Sequence, residues 1–428
     1  MLNQQDNDLL TRVENQAPLG QLMRRYWMPA CMSEELPQPD GDPIKVRVLG
    51  ENLVAFRATD GSVGVMDELC PHRRASLLYG RNEEGGLRCL YHGWKMDVEG
   101  NVVDTPAEVR REGAPCKKIR HKAYPVRESH GFVWIYMGEE ATMPEFEPPA
   151  FANGTNPIIS IAKINLPCNW AQIVEGGIDS AHASLLHSSE IRPTGNTARA
   201  GLAETHTLTR PSVDKAPRLH VHRTEYGMRY VALRTPITNP ETDEYARIAT
   251  FIAPCTVLSP PNGTYSTIQF IVPRDDESTS FYFVGWTDDQ TEGTGVTQEV
   301  WRQRMGAVVG VDLDDDHWPL RTQANRFKQD RAAMKQGSFT GVRGIANQDS
   351  MMWVTMGPIS DRSKERLGTS DAAVAQFRRV MVEAVKAFSR GEPPIGTTQP
   401  RLPHRRIRSF EGVIKKETDW RELGILPE

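Results

Sequence analysis

The sequence predicts an α+β protein in two parts, an N-terminal all-β domain and a larger domain that combines an antiparallel sheet with helices. Three observations carry this. From Ile44, apolar residues alternate with polar ones, with Ile44, Val46 and Val48 set against Lys45 and Arg47, the period of a half-buried strand. Between Leu219 and Trp286, strand-length runs are separated by turn signals rather than helical patterns, which favours antiparallel strands over βαβ units. Val374, Phe377, Val380, Met381, Ala384, Val385 and Phe388 recur at the helical period.

The 428 residues suffice for two or three domains with a sizeable core. A net charge of −4 and a pI of about 6.3 give no general attraction to nucleic acid or anionic lipid. No apolar run reaches the roughly eighteen residues of a membrane span, and Met1-Leu2-Asn3-Gln4-Gln5-Asp6 lacks the basic and apolar regions of a secretory signal. The expectation is a cytoplasmic protein.

In chain order, Leu9, Leu10 and Val13, then Leu19, Leu22, Met23 and Tyr26, lie at helical spacing broken at Pro18-Leu19-Gly20. Residues 1–26 therefore read as two short helices. Residues 27–148 read as the β domain, with turns at Asp60-Gly61, Gly85-Gly86 and Glu99-Gly100-Asn101 and a closing strand over 131–136. Pro144, Pro148 and Pro149 mark its end, and 149–428 form the second domain. That domain opens with a strand over 158–164 and a helix from 169 to about 187. Strands follow at 229–234, 246–253, 265–272 and 280–286, separated by Pro236, Asn239-Pro240, Pro260-Pro261-Asn262-Gly263 and Pro273-Arg274-Asp275-Asp276. Helical patterns return from about Val300, and the last helix has Ser370 as its expected N-cap and Gly391 as its stop. The cysteines outside the motif below, Cys31, Cys116, Cys168 and Cys255, read as buried or free thiols.

Two motifs carry chemistry. Cys70-Pro71-His72 is followed, after sixteen residues, by Cys89-Leu90-Tyr91-His92. Two thiolates and two imidazoles make a metal site, but zinc fingers keep the cysteines together and the histidines together. Here each half-site supplies one of each, which suits a Rieske [2Fe–2S] centre, where two cysteines hold one iron and two histidines the other. Structural zinc is the alternative. Downstream, Asp179-Ser180-Ala181-His182-Ala183-Ser184-Leu185-Leu186-His187 sets two histidines five residues apart. On an ideal helix they would stand about 140° apart, so binding one metal requires the helix to bulge or end between them. Alone, the stretch reads equally well as two satisfied histidines in an amphipathic helix.

Cys70-Pro71-His72-Arg73 and Cys89-Leu90-Tyr91-His92-Gly93-Trp94 resemble the loop signatures of the Rieske non-haem iron aromatic-ring-hydroxylating oxygenases, alpha subunit. The Asp179/His182/His187 pattern, with Asn169-Trp170 and Glu175 before it, resembles that family's mononuclear iron motif. Met66-Asp67-Glu68, Leu166-Pro167-Cys168-Asn169-Trp170-Ala171-Gln172 and Gly357-Pro358-Ile359 with Leu367-Gly368 look most like the phthalate 4,5-dioxygenase branch. The resemblance implies a Rieske domain whose [2Fe–2S] cluster is held by Cys70, His72, Cys89 and His92, and a helix-grip catalytic domain with a mononuclear non-haem Fe(II). His182 and His187 would bind that iron with one carboxylate, leaving open positions for O₂ and substrate. The expected third ligand is Asp349 in Asn347-Gln348-Asp349, with Glu175 and Asp361 as competitors. Asp179 is implied to hydrogen-bond His182 and to reach His92 of an adjacent chain, and Asn169 is the other residue expected in the catalytic machinery.

The implied activity is O₂-dependent cis-dihydroxylation of an aromatic dicarboxylate such as phthalate, at the 4,5-position, or isophthalate. The chain lacks a Gly-x-Gly-x-x-Gly motif, so electrons would come from a separate NADH-dependent flavin and [2Fe–2S] reductase. The family also implies a homotrimer that can stack into a hexamer. For substrate binding, Arg247 is the polar exception on the strand face Tyr245, Arg247, Ala249, Phe251, Ala253, and Arg210 shares the parity of Leu208. Each could pair with a substrate carboxylate or with a protein acid, and Arg234 is a weaker candidate. Rival readings are a Rieske monooxygenase or O-demethylase acting on an acid of the chlorobenzoate, phenoxybenzoate or vanillate type, an electron-transfer Rieske protein without catalysis, and a zinc-stabilised binding protein.

Overall fold

The computed structural model describes residues 2–109, 119–154, 156–193, 208–260, 265–288 and 295–427. Cys116, His206 and the turn residues Pro261-Asn262-Gly263 lie outside them. Two compact units are present: Val13–Gln16 with Gly20–Phe146, and Met1–Arg12 and Ala17–Leu19 with Glu147–Glu428.

Helix α1 spans Gln4–Thr11, capped by Asn3, whose side-chain oxygen accepts from the Asp6 amide. Helix α2 spans Pro18–Met23. A proline that reads as a break in the sequence is here the first helical residue, where its missing N–H has no partner to lose.

The first unit is all-β. Strands Ile44–Val48, Glu51–Arg57 and Val63–Asp67 form one antiparallel sheet, and Arg81–Glu83, Gly86–Arg88, Lys95–Met96 and Val102–Asp104 form a second. A third joins Trp27–Met32, Phe132–Tyr136 and Val126–Ser129. Val54, Phe56, Met66, Leu77, Leu87 and Met96 pack into one buried core with Cys70 and Cys89. The two motif cysteines thus belong to that apolar core.

In the second unit an antiparallel sheet of eight strands runs in the order Ile158–Leu166, Thr279–Thr287, Ser266–Pro273, Thr256–Leu258, Asp243–Ile252, Gly227–Arg234, Arg218–Thr224, with Phe410–Lys415 also paired to Asp243–Ile252. This is the antiparallel sheet that the turn signals predict. Its helices are α3 (Trp170–Gly177), α4 (Gln298–Met305), α5 (Arg331–Lys335), α6 (Ile345–Thr355) and α7 (Ala372–Ser389). Phe377 of α7 packs edge-on against Phe251 of the sheet, with centroids 4.9 Å apart, and against Trp170 of α3. The cap of α7 is Asp371, one residue beyond the expected Ser370, and Gly391 takes a φ of 89° just past its end.

The helix expected over 169–187 is corrected. It ends at Gly177, and His182–Ser184 form only a 3₁₀ turn. Two glycines weaken its last turn, and the Asp179 carboxylate accepts from the Ala181 amide at 2.7 Å, offering the backbone a local turn in place of another helical turn. Among the described residues no helix is long and apolar enough to cross a membrane.

Candidate metal centres and active site

The two motif loops of the β unit fold alike. In the first, the Arg74 amide donates to the Cys70 carbonyl (3.0 Å) and the Cys70 amide to the Ala75 carbonyl (2.9 Å); in the second, Gly93 donates to Cys89 (3.0 Å) and Cys89 to Trp94 (2.8 Å). Each turn closes on a left-handed residue, Arg74 at φ 60° and Gly93 at φ 76°. Arg74 shows that a side chain can take this backbone conformation, but at Gly93 a Cβ would also stand 2.6 Å from the Pro106 ring, and that contact selects glycine.

These loops bring His72 and His92 edge to face at 4.5 Å and stack Trp94 on His72 at 4.7 Å. Burial, with the Cys89 thiol alongside, pushes the Cys70 thiol up to about 11, and a bound metal would relieve that by holding the thiolate. Trp94 Nε1 is buried without a hydrogen-bond partner among the described residues. The four ligands of a single zinc ion would lie within about 4.6 Å of one another. Among the described residues the one group of three or more His, Cys, Asp or Glu that tight is His182, His187 and Asp349. A divided Cys₂/His₂ set beside an orphaned donor fits a two-iron cluster better than one ion.

The second unit builds the other centre. His187 Nε2 lies 3.1 Å and His182 Nε2 3.5 Å from Asp349 Oδ1. Both rings are fixed from behind. His187 Nδ1 donates to Gln348 Oε1 at 2.7 Å, and His182 Nδ1 faces Asp179 Oδ2 at 3.3 Å. Those contacts set the tautomer that leaves each Nε2 free for a metal. Burial raises the Asp179 pKa, but His182 and the amides of Ala181 and His182 outweigh it and hold the carboxyl below its ordinary range. Two imidazoles and one carboxylate on one side, with room beside them, fit a mononuclear Fe(II) with open positions.

Gln172 ties α3 to α6 and the chain that follows. Its amide donates to the carbonyls of Trp353 (2.9 Å) and Gly357 (3.0 Å) and accepts from the Ser360 amide (2.9 Å). Gly176 permits the close approach, since a Cβ there would meet the Trp353 ring at 2.3 Å. The competing carboxylates are engaged elsewhere. Glu175 takes Arg362 and Arg378, both at 2.8 Å, while Asp361 pairs with Lys364 and accepts from Ser363. Asn169 also stands apart: it caps α3, and its amide donates to the carbonyls of Thr11 (2.9 Å) and Asp276 (2.7 Å). Its observed contacts are those of a structural post.

A cavity opens beside His182, His187 and Asp349, lined in part by Asp179, Ser180, Tyr230, Arg247, Tyr265 and Phe283. Arg247 lies across the strands from Ala232 on one side and Glu411 on the other, and its guanidinium meets Glu411 at 3.0 Å and the Tyr245 hydroxyl at 3.1 Å. Arg210 is buried against the Ser184 hydroxyl (2.9 Å), with Nε and Nη2 unpartnered among the described residues. Sequence reasoning missed Gln348 and Glu411. Gln348 was signalled only by adjacency to Asp349, and Glu411 by nothing local.

Residues 26–125 match the Rieske [2Fe-2S] domain family, and residues 135–428 match the family described as LigXa C-terminal domain like. Over 425 residues the chain is 56% identical to the phthalate 4,5-dioxygenase oxygenase subunit of Pseudomonas putida, covering 99% of this chain and 94% of that one. The chain belongs to the Rieske non-haem iron oxygenases. This oxygenase subunit is also 35% identical to the 3-chlorobenzoate-3,4-dioxygenase oxygenase subunit of Comamonas testosteroni, over 97% of this chain and 96% of that one. Dicamba monooxygenase bound to 3,6-dichlorosalicylic acid superposes with a TM-score of 0.57 at 17% identity, over 86% of this chain and 99% of that one, a likeness of fold alone. As a member of the family the subunit is an oxidoreductase that carries a [2Fe–2S] cluster and a mononuclear non-haem iron.

Proposed function

We propose that this oxygenase subunit dihydroxylates an aromatic dicarboxylate of the phthalate type, drawing electrons from a separate NADH-dependent flavin and [2Fe–2S] reductase and working as a homotrimer. In this reading Cys70 and Cys89 hold one cluster iron, His72 and His92 the other, and His182, His187 and Asp349 hold the mononuclear iron. When bound, the cluster supplies single electrons and the iron an O₂ site beside the substrate. Gln348 and Asp179 orient the two iron histidines through Nδ1, and Asp179 also accepts from His92 of the partner subunit. Tyr230, Tyr265 and Phe283 give the ring an apolar wall. Arg247 and Arg210 receive the carboxylates.

The observation that carries the reading is the buried Arg210 guanidinium, with two N–H-bearing nitrogens unpartnered among the described residues. A buried cation left short of acceptors suits an anionic ligand. The 56% identity to a phthalate 4,5-dioxygenase oxygenase subunit supports an aromatic dicarboxylate as that ligand.

The test is turnover with phthalate under ¹⁸O₂. Two labelled atoms in the product support dihydroxylation, and one would make the enzyme a monooxygenase. Arg210→Ala and Arg247→Ala should each lose about 1.5–3 kcal/mol of charge-assisted binding, roughly a ten- to hundredfold rise in KM. An unchanged KM in both would move the carboxylate site elsewhere.

A further inference from the structure

Arg234 is the third buried guanidinium at this end of the sheet, opposite Tyr245 in the strand register and on the face shared by Arg247. Its Nη2 donates to the Ser180 carbonyl at 2.7 Å and the Ser184 hydroxyl at 3.3 Å, and its Nη1 to the Ser180 hydroxyl at 3.2 Å. Nε is buried and unpartnered among the described residues. Ser184 also holds Arg210, so two cations converge on one neutral oxygen. Hydrogen bonds of this kind fix the guanidinium without cancelling its charge. Among the described residues neither Arg210 nor Arg234 forms an ion pair, whereas Arg247 has Glu411. Burial, then Arg210 and Arg247, depress the basicity of Arg234, so the three groups feel one another's charge.

We propose that Arg234 is a specificity-determining positioning residue whose uncompensated charge, added to those of Arg210 and Arg247, makes the cavity select substrates with two negative charges over substrates with one. It acts from behind Ser180, which lines the cavity, rather than by touching the ligand. In a low-dielectric wall each extra unit of charge on the ligand gains from each extra cation, so the field favours a dianion more than its monoanionic analogue. The proposal rests on the reading that an aromatic carboxylate occupies this cavity.

Calorimetric titration of the iron-loaded enzyme with phthalate, a dianion, and benzoate, a monoanion, tests it. The wild type should prefer phthalate. Arg234→Met should reduce the phthalate-to-benzoate affinity ratio by about tenfold or more, while Arg234→Lys, which keeps the charge but loses the forked contacts, should hold the ratio within about threefold of wild type. An equal weakening of both ligands by Arg234→Met would reveal a merely structural role and overturn the proposal. Glu411→Gln gives the opposite sign and does not depend on Arg234→Met folding: removing the negative charge should raise the ratio, and a ratio unchanged or lowered overturns the proposal. A wild type that binds both acids equally would overturn the dicarboxylate reading itself, whereas a discriminating wild type with an unaffected Arg234→Met would overturn only the part given to Arg234.

Discussion

His187 and His182 are oriented by different groups, an amide for one and a carboxylate for the other, and both turn Nε2 toward Asp349. Asp349→Ala should empty the mononuclear iron site while the cluster's visible absorption persists; full iron with normal turnover would give the ligand's place to another residue. Gln348→Leu, measured in the same iron assay, should lower iron affinity by about 10- to 100-fold through the loss of ring orientation. Candidate ligands are legible in a sequence because few residue types bind iron, so Cys70, His72, Cys89, His92, His182 and His187 stand out against an ordinary composition. Gln348 and Glu411 do not. An amide or an acid acquires its role only from what it faces, and Glu411 meets Arg247 through a strand pairing between residues far apart in the chain.

Helix α3 shows where the pattern of a sequence and its energetics part. The periodic run from Asn169 suggests a helix through His187, yet Gly176, Gly177 and the local hydrogen bonds of Asp179 end it early, which frees both histidines from the helical spacing that would hold them apart. The sheet was easier to read, since alternation and turn residues are local signals that its strands share. What anchors α3 was not local: Glu175 is buried between Arg362 and Arg378, contributed from beyond α6 and from α7. Glu175→Ala leaves the buried Arg362 without a carboxylate and Arg378 with Glu365 alone, and should cost about 3–5 kcal/mol in urea unfolding. Burial raises the Glu175 pKa, but the two arginines prevail and hold it below its ordinary value. Its contribution is therefore fully present above the ordinary carboxylate pKa and lost as pH falls through the depressed native value. The variant should accordingly lose less stability than wild type on acidification through that range; parallel losses would show that another group governs the acid response.

At the scale of the whole molecule, the second motif loop leaves Leu90 and Tyr91 exposed at 63% and 56%, with the Tyr91 ring 3.9 Å from that of His92. Two exposed apolar side chains beside the proposed cluster ligand His92 suit a protein interface. On the homotrimer proposal, electrons leave the cluster of one chain for the iron of the next, and Asp179 accepts from both His182 and His92 of the partner subunit. Two inactive chains then test the route. Cys70→Ser lacks a working cluster and Asp349→Ala lacks a working iron, so neither should turn over alone. Co-expressed in equal amounts and assembled at random in a closed head-to-tail ring, they should recover about a quarter of wild-type activity, because about one interface in four joins an intact cluster to an intact iron. If electrons stayed within each chain, the mixture would be as inactive as its parts. Adding Asp179→Asn to the Cys70→Ser chain places the substitution on the subunit whose iron is intact. Recovery should then vanish with the iron content unchanged, which separates a lost electron path from a lost metal.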